Sequence, residues 1–379
     1  MLLLKRKRTW AVALIPICLV LASVASSHPQ IVERLYSRAF YPVLAGIFGR
    51  VFSLFPFSVA ELLILLLAVG ILIGVVFLLR ALKKCTARQR VELGQKVLSN
   101  ILCAAGIIYA LFTVLCGLGY YRLSFAEQSG LPIRPSSPQE LAELSRMLVL
   151  EANTLRGEVA QSPETATMRL SFTSAYKAAA FAGEAYANLA EEYPALGGFT
   201  PRAKPVFFSR IMSYTEICGI YVPFTFEANV NVDIPDYNIP STMMHELSHY
   251  HGFMREEEAN FLAYLACRKS GNADFMYSGT MLALIHTTNA LYDADRNAYW
   301  EIIGLLSSEV RADLAENDAY WKRFEGLVAD VAVKVNDVYL RTNRQSSGVK
   351  SYGEMVDLLL ADYRANHKSN ELEFREKTK

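Results

Sequence analysis

Three long uncharged runs constrain this chain more than any other feature. Thr9 to Ser27 carries no charge and follows the basic cluster Lys5 to Arg8, Leu62 to Leu79 is 18 uncharged residues, and Val97 to Tyr121 is 25. A helix rises 1.5 Å per residue, so about 20 apolar residues cross the hydrocarbon layer of a bilayer. Three transmembrane helices are therefore predicted, at about 9–27, 59–79 and 97–121. The first run also has the basic start and small residues (Ala22 to Ser27) of a signal peptide. The later spans anchor the chain without it, and its cleavage would leave the remainder on the same side.

Basic residues set the orientation. Four precede the first span, six lie between the second and third, and three lie between the first and second. The positive-inside rule then puts the amino terminus and residues 80–96 in the cytoplasm, and everything after Tyr121 outside it. The predicted division is a membrane domain, 1–121, and an extracytoplasmic domain, 122–379. Residues 28–58 are aromatic and amphipathic with Pro and Gly breaks. They read as helix lying at the outer interface, or as a packed outer loop.

The formal net charge of +1 hides an asymmetry. Residues 1–120 hold 13 Lys/Arg against 3 acids, and residues 121–379 hold 25 against 34. The second part is thus near −9 with no basic stripe, which excludes nucleic acid as a partner. Only Cys218 and Cys267 fall there. They make no disulfide framework and no CxxC pair, and they read as ordinary buried thiols, though a pairing between them stays open.

The second part reads as mainly α with a small β-sheet. Ser137, Pro138 and Glu140 form a helix start with a capping box. Phe172 to Tyr193 reads as a second helix, ended by Pro194 and Gly197-Gly198. Between Pro201 and Pro235, β-branched and aromatic residues with Pro and Gly punctuation predict two to four strands. Helices resume near Ser241, with a long one predicted over Asp318 to Arg341 and a frayed charged tail over the last dozen residues.

"STMMHELSHYHGFMREEEANFLAY", from Ser241, carries the chemistry. Positions four apart on a helix lie one above the other, so His245 and His249 share a face and can bind one ion. Glu246 leans into the same space, where it can take a proton from a water held at the ion. This HExxH pattern predicts a Zn2+ site of the hydrolytic kind. Gly252 is expected at C′, ending the first helix, and "REEEANFLAYLACRK" starts a second. A catalytic site needs a third protein ligand. Glu256 is the first choice, and Asn260, one turn on, is a candidate to hold a ligand in place. Glu258 is the alternative, and otherwise Glu257 and Glu258 form a solvated helix start. His251 points off the metal face. Tyr250, Phe253, Phe261 and Tyr264 read as core.

"HELSH" followed by Glu256, Ala259 and Asn260 resembles the gluzincin arrangement, in which a second helix supplies a glutamate ligand from an E-x-x-A-[DN] pattern. CAAX-prenyl and heat-shock membrane peptidases carry that pattern, and ImmA/IrrE-type peptidases a similar one. The chain also resembles a bacterial family of unknown function with three amino-terminal membrane helices, HExxH and "GFxxExEANFxAYLA". The residues that carry this likeness are "YPVLAGIFGRVFSLFPFSVAELL" from Tyr41, "GFMREEEANFLAYLA" from Gly252 and "VNDVYLRTNRQSSGVKSYGEMVDLLLA" from Val335. The resemblance implies a zincin-like fold with His245, His249 and Glu256 as zinc ligands and Glu246 as catalytic base. Glu256 follows His249 by only seven residues, where the better-studied gluzincins insert far more, so the two helices must form a tight hairpin.

The expected activity is that of a membrane-anchored extracytoplasmic zinc metallopeptidase acting on a peptide or protein substrate. Strand residues in 219–232 are candidates to pair with an extended substrate. His286 and Tyr352 are candidate oxyanion donors. Two rival readings are a metal-stabilised envelope receptor or assembly domain without catalysis, and a zinc hydrolase of a non-peptide envelope amide.

Overall fold

The computed structural model describes residues 9–377, with side chains for 10–351 and 353–366. Most of the chain is helical, with one small sheet. Three helical stretches, Trp10–Ser27, Val59–Lys84 and Ala87–Leu115, are long and apolar enough to cross a membrane. The first contains α1 (Leu14–Ser27), α2 is Tyr41–Ser53, and the other two are α3 (Val59–Lys84) and α4 (Ala87–Leu115). In α3 none of the most apolar 18 residues is buried against the protein. The loop expected over 80–96 shrinks to Cys85 and Thr86, because the basic residues around it are good helix formers and Thr86 caps α4 in a box with Gln89.

After a short helical turn at Phe125–Ser129, the first long helix of the second part is α5 (Pro138–Arg156), whose Ser137–Glu140 capping box forms as expected. The second helix is shorter than predicted: α6 spans Ala175–Ala187, with Ser174 as its cap. Three strands follow, β1 (Lys204–Pro205), β2 (Gly219–Val222) and β3 (Glu227–Val230). Their order is β1-β3-β2, parallel between β1 and β3 and antiparallel between β2 and β3. Then come α7 (Ile239–Tyr250), α8 (Glu256–Lys269), α9 (Ala273–Ala294), α10 (Arg296–Ile303), α11 (Ser308–Lys322), α12 (Leu327–Thr342) and α13 (Met355–Lys377). The single helix expected over Asp318 to Arg341 is broken at Gly326, whose φ of +152° suits only glycine, so α11 and α12 are separate. The segment expected to fray continues α13 to Lys377.

The main core joins α5, α7, α8 and α9 through Leu148, Val149, Met244, Phe261, Leu262 and Met281. Each such side chain fully buried contributes about 1.5–3 kcal/mol. Phe253 and Tyr264 join that core as expected, while Tyr250 enters a second cluster with Tyr41, Tyr221 and Phe226. Cys218 and Cys267 are free thiols.

Residues 28–58 are helical over most of their length, but they do not simply lie at an interface. They are clasped to the sheet and to α7. Lys204 Nζ donates to the carbonyls of Phe52 (3.1 Å), Phe55 and Phe57 (3.3 Å), and faces Glu227 at 3.7 Å, with both side chains buried. Glu227 in turn accepts the N–H groups of Val59 (3.1 Å) and Ala60 (2.7 Å) at the start of α3. Ser58 caps α3 and donates to Asn229 Oδ1 at 2.6 Å. Glu61 accepts the N–H groups of Phe207 (3.0 Å) and Phe208 (2.7 Å). Farther along, Arg122 forms a buried two-pronged ion pair with Glu33 at 3.0 and 3.1 Å and stacks 3.9 Å from the Phe253 ring centre.

Candidate metal centre

Helix α7 presents His245 and His249 on one face, with ring centroids 4.6 Å apart and planes nearly perpendicular. The helix ends as the sequence predicts. Gly252 takes a left-handed φ of +85°, its N–H bonds the His249 carbonyl, and the Phe253 N–H reaches back to the Ser248 carbonyl at 3.1 Å. This turn also aims the Phe253 carbonyl at His249 Nδ1, 2.7 Å away. A carbonyl can only accept, so Nδ1 carries a proton, and Nε2 is the nitrogen that faces the triad and could bind a metal once deprotonated. Asn260 Oδ1 holds His245 Nδ1 in the same way at 2.7 Å.

Glu256 opens α8 and turns its carboxylate into the space between the two rings. Its Oε2 lies 3.1 Å from His245 Nε2 and 3.5 Å from His249 Nε2. The ligand-capable atoms of the three residues lie within 4.8 Å of one another, so the group could hold a metal ion. Two imidazole nitrogens and one carboxylate oxygen are donors of the kind that bind divalent transition metals. Glu256 and His249 favour each other's charged forms. Burial alone would raise the Glu256 pKa, but the two imidazoles outweigh it and hold the carboxyl at about 2. Burial works against a charged His249, but Glu256 overcomes it and lifts the ring to about 9.

Glu246 sits beside this group and is 4% exposed. The Tyr221 backbone N–H of β2 favours its charged form, and among the described residues its Oε2 has no hydrogen-bond partner. Burial pushes its pKa up to about 7, against the pull of the two imidazoles. Gly219, also on β2, leaves room for this carboxylate, since a Cβ there would run into Glu246 Oε1. A buried carboxylate oxygen left unpaired next to a metal-capable triad is a group placed for a proton or a water.

The other predicted residues separate clearly. Glu258 is not solvated and does not face the triad: it is buried, accepting the Phe125 N–H (2.7 Å) and pairing with Arg255 (2.9 Å). His251 points away, stacking on Tyr186 and contacting Thr200 Oγ1 at 3.0 Å. His286 is half-buried near His245, and burial first, then that imidazole, depresses its pKa to about 4. The Tyr352 side chain lies outside the described residues; its backbone belongs to a 3-10 turn, Gly348–Glu354.

Several contributors have no signal in the local sequence. Gln345 accepts the Glu256 N–H at 3.4 Å and donates to Glu257 at 2.7 Å, steadying the first turn of α8. Tyr41 hydrogen-bonds the Tyr221 hydroxyl and the Tyr250 carbonyl, both at 3.0 Å, tying α2 to β2 and α7. Tyr41, Gly252 and Gln345 do stand inside the stretches that carried the family resemblance.

Fold and site together define a mostly helical protein with three helices able to cross a membrane and a His-His-Glu group able to hold a metal ion. The chain belongs to the family described as "Protein of unknown function (DUF3810)", which matches residues 36–360. No curated protein and no solved structure matches it.

Proposed function

We propose that this chain is a membrane-anchored, gluzincin-like zinc metallopeptidase, with its amino terminus in the cytoplasm and its site, within residues 122–379, on the other side. One observation carries the reading: His245, His249 and Glu256 converge beside a buried Glu246 that keeps one oxygen unpaired. Zinc bound there supplies Lewis acidity toward water and the scissile carbonyl.

The side chains do the rest. Glu246 takes the proton of the attacking water and delivers it to the leaving amine, a task suited to a carboxyl with a pKa of about 7. Asn260 and the Phe253 carbonyl hold the two imidazoles in the tautomer that binds metal. β2 lies at one edge of the sheet and its Gly219 packs against Glu246, so an extended peptide added along it would pass the site. His286 is the candidate donor to the developing oxyanion. A purely structural metal site would want four protein ligands and would give Glu246 no task, which favours catalysis over a receptor or assembly role. The orientation rests on the excess of basic residues around the α3–α4 turn.

The test is metal analysis and peptide-library cleavage with the full-length protein in detergent, beside His245→Ala and Glu246→Gln. The first variant should lose zinc and turnover. The second should keep zinc and lose turnover by about 10²–10⁴-fold. Undiminished cleavage by Glu246→Gln, or full zinc content in His245→Ala, would refute the proposal. A reporter fused after Lys379 should behave as exported.

A further inference from the structure

Among the described residues, helix α12 has almost no protein packed against it. Within Leu327–Thr342 only Ala329 and Leu340 are buried, while Leu327, Val328, Val331, Val335 and Val338 are between 58% and 83% exposed. At 3.6 residues per turn those five fall within an arc of about 100°, with Lys334 and Arg341 on one flank. An unpartnered apolar stripe of this kind marks an interaction surface.

The structure also indicates what lies against it. Tyr339, at the edge of the stripe, packs its ring edge-on against Phe112 of α4 (6.2 Å between centroids) and hydrogen-bonds Tyr120 at 3.0 Å. Phe112 lies in the last turn of α4, which ends at Leu115. The stripe therefore starts where the third apolar helix stops. The start of α3 lies at this end too: Glu227 holds the Val59 and Ala60 N–H groups, and its neighbour Phe226 shares a buried cluster with Cys116, just past the end of α4. There Glu61 holds the backbone of Phe207 and Phe208, whose rings are exposed, as is Ile211. An apolar face continuous with apolar spanning helices, with Lys and Arg able to reach outward from its flank, matches a helix lying in a lipid interface.

Resting on the membrane reading above, we propose that the Leu327–Val331–Val335–Val338 face of α12 is embedded in the lipid leaflet that holds the start of α3 and the end of α4. The metal centre is then held at the bilayer surface. α12 leads directly into Gln345, which contacts Glu256 and Glu257.

Full-length protein reconstituted in phosphatidylcholine vesicles, with and without phosphatidylcholine brominated near the top of its acyl chains, tests this through tryptophan quenching. The parent signal of the three native tryptophans is subtracted from that of each variant. Val331→Trp and Val335→Trp should lose as large a share of their added emission as Leu66→Trp within α3, while Asp330→Trp on the polar flank keeps its own. Two positions on the stripe keep the result readable if one variant fails to fold. Quenching at Leu66→Trp without quenching at either valine position would overturn the proposal and leave the spans standing, whether a second copy or water covers the face. Absence of quenching at Leu66→Trp would overturn the membrane reading and this proposal together.

Discussion

His249 Nδ1 lies 2.7 Å from the carbonyl oxygen of Phe253, so the turn that reverses the chain between α7 and α8 also fixes the second imidazole. The short spacing between His249 and Glu256 works because one glycine does two tasks. It ends α7, and it brings the Phe253 carbonyl back to the ring.

Gly252→Ala tests that coupling. The position has a φ of +85° and would place a Cβ 3.2 Å from the Tyr41 ring. A left-handed conformation costs a residue with a side chain about 1–2 kcal/mol. We expect a lower thermal midpoint together with weakened zinc binding. A variant with a lowered midpoint and unchanged zinc affinity would separate the turn from the ligand.

Asn260→Ala removes the partner of His245 Nδ1 without touching a ligand. Such supporting contacts are worth about 10–100-fold in metal affinity. Competition with a chelator should show a loss in that range, and unchanged affinity would assign the orientation of His245 to packing alone.

Gly219→Ala addresses Glu246 from the side of the sheet. The added methyl group would displace the carboxylate while leaving His245, His249 and Glu256 in place. Zinc content should stay at the parent level and turnover should fall by about 10²-fold, the scale of a misplacement near 1 Å. Full peptidase activity in this variant would contradict the role proposed for Glu246.

His251 predicts a dependence on pH. Burial, and then Arg122, depress its pKa from 6.5 to about 3. The unfolded chain therefore takes up a proton below pH 6.5 that the folded ring refuses. Stability from this source is present above pH 6.5 and declines as the pH falls toward 3. His251→Phe keeps a ring against Tyr186 and removes the titration. The difference in thermal midpoint between parent and variant should change steadily across that window, and a constant difference would exclude His251 as a source of acid sensitivity.

Glu227→Ala breaks the clasp at the start of α3. It leaves Lys204 charged and buried without its carboxylate, and it strips the Val59 and Ala60 N–H groups of their acceptor. Removing one member of a buried pair costs about 3–5 kcal/mol. Thermal unfolding in detergent should show that loss, with early proteolysis near residues 52–61. A midpoint equal to the parent's would mean the clasp contributes nothing to stability.

The legible parts of this structure are those set by near neighbours. The i, i+4 histidines, the Ser137–Glu140 capping box, Gly252 at C′ and the three apolar runs each follow from a repeat or a spacing within a few residues. Glu256 faces the two histidines and Glu258 does not, because successive helix positions turn by about 100°, which sends Glu258 to Phe125 and Arg255. The illegible parts join distant positions. Arg122 finds Glu33 across 89 residues, and Gln345 finds Glu256 across the same interval. Neither pair has a local pattern. The break at Gly326 has no local signal either, since one glycine inside a helical pattern is tolerable until its φ is known.

The clasp between residues 29–61 and the sheet bears on how this protein can be divided. A fragment beginning after Tyr121 would retain all three metal-capable side chains. It would also strip Arg122 of Glu33, Lys204 of three carbonyls, and the Tyr250 hydroxyl of the Ala45 carbonyl it contacts at 2.8 Å. The smallest soluble piece worth making therefore has to carry that amino-terminal strap along, fused or co-expressed.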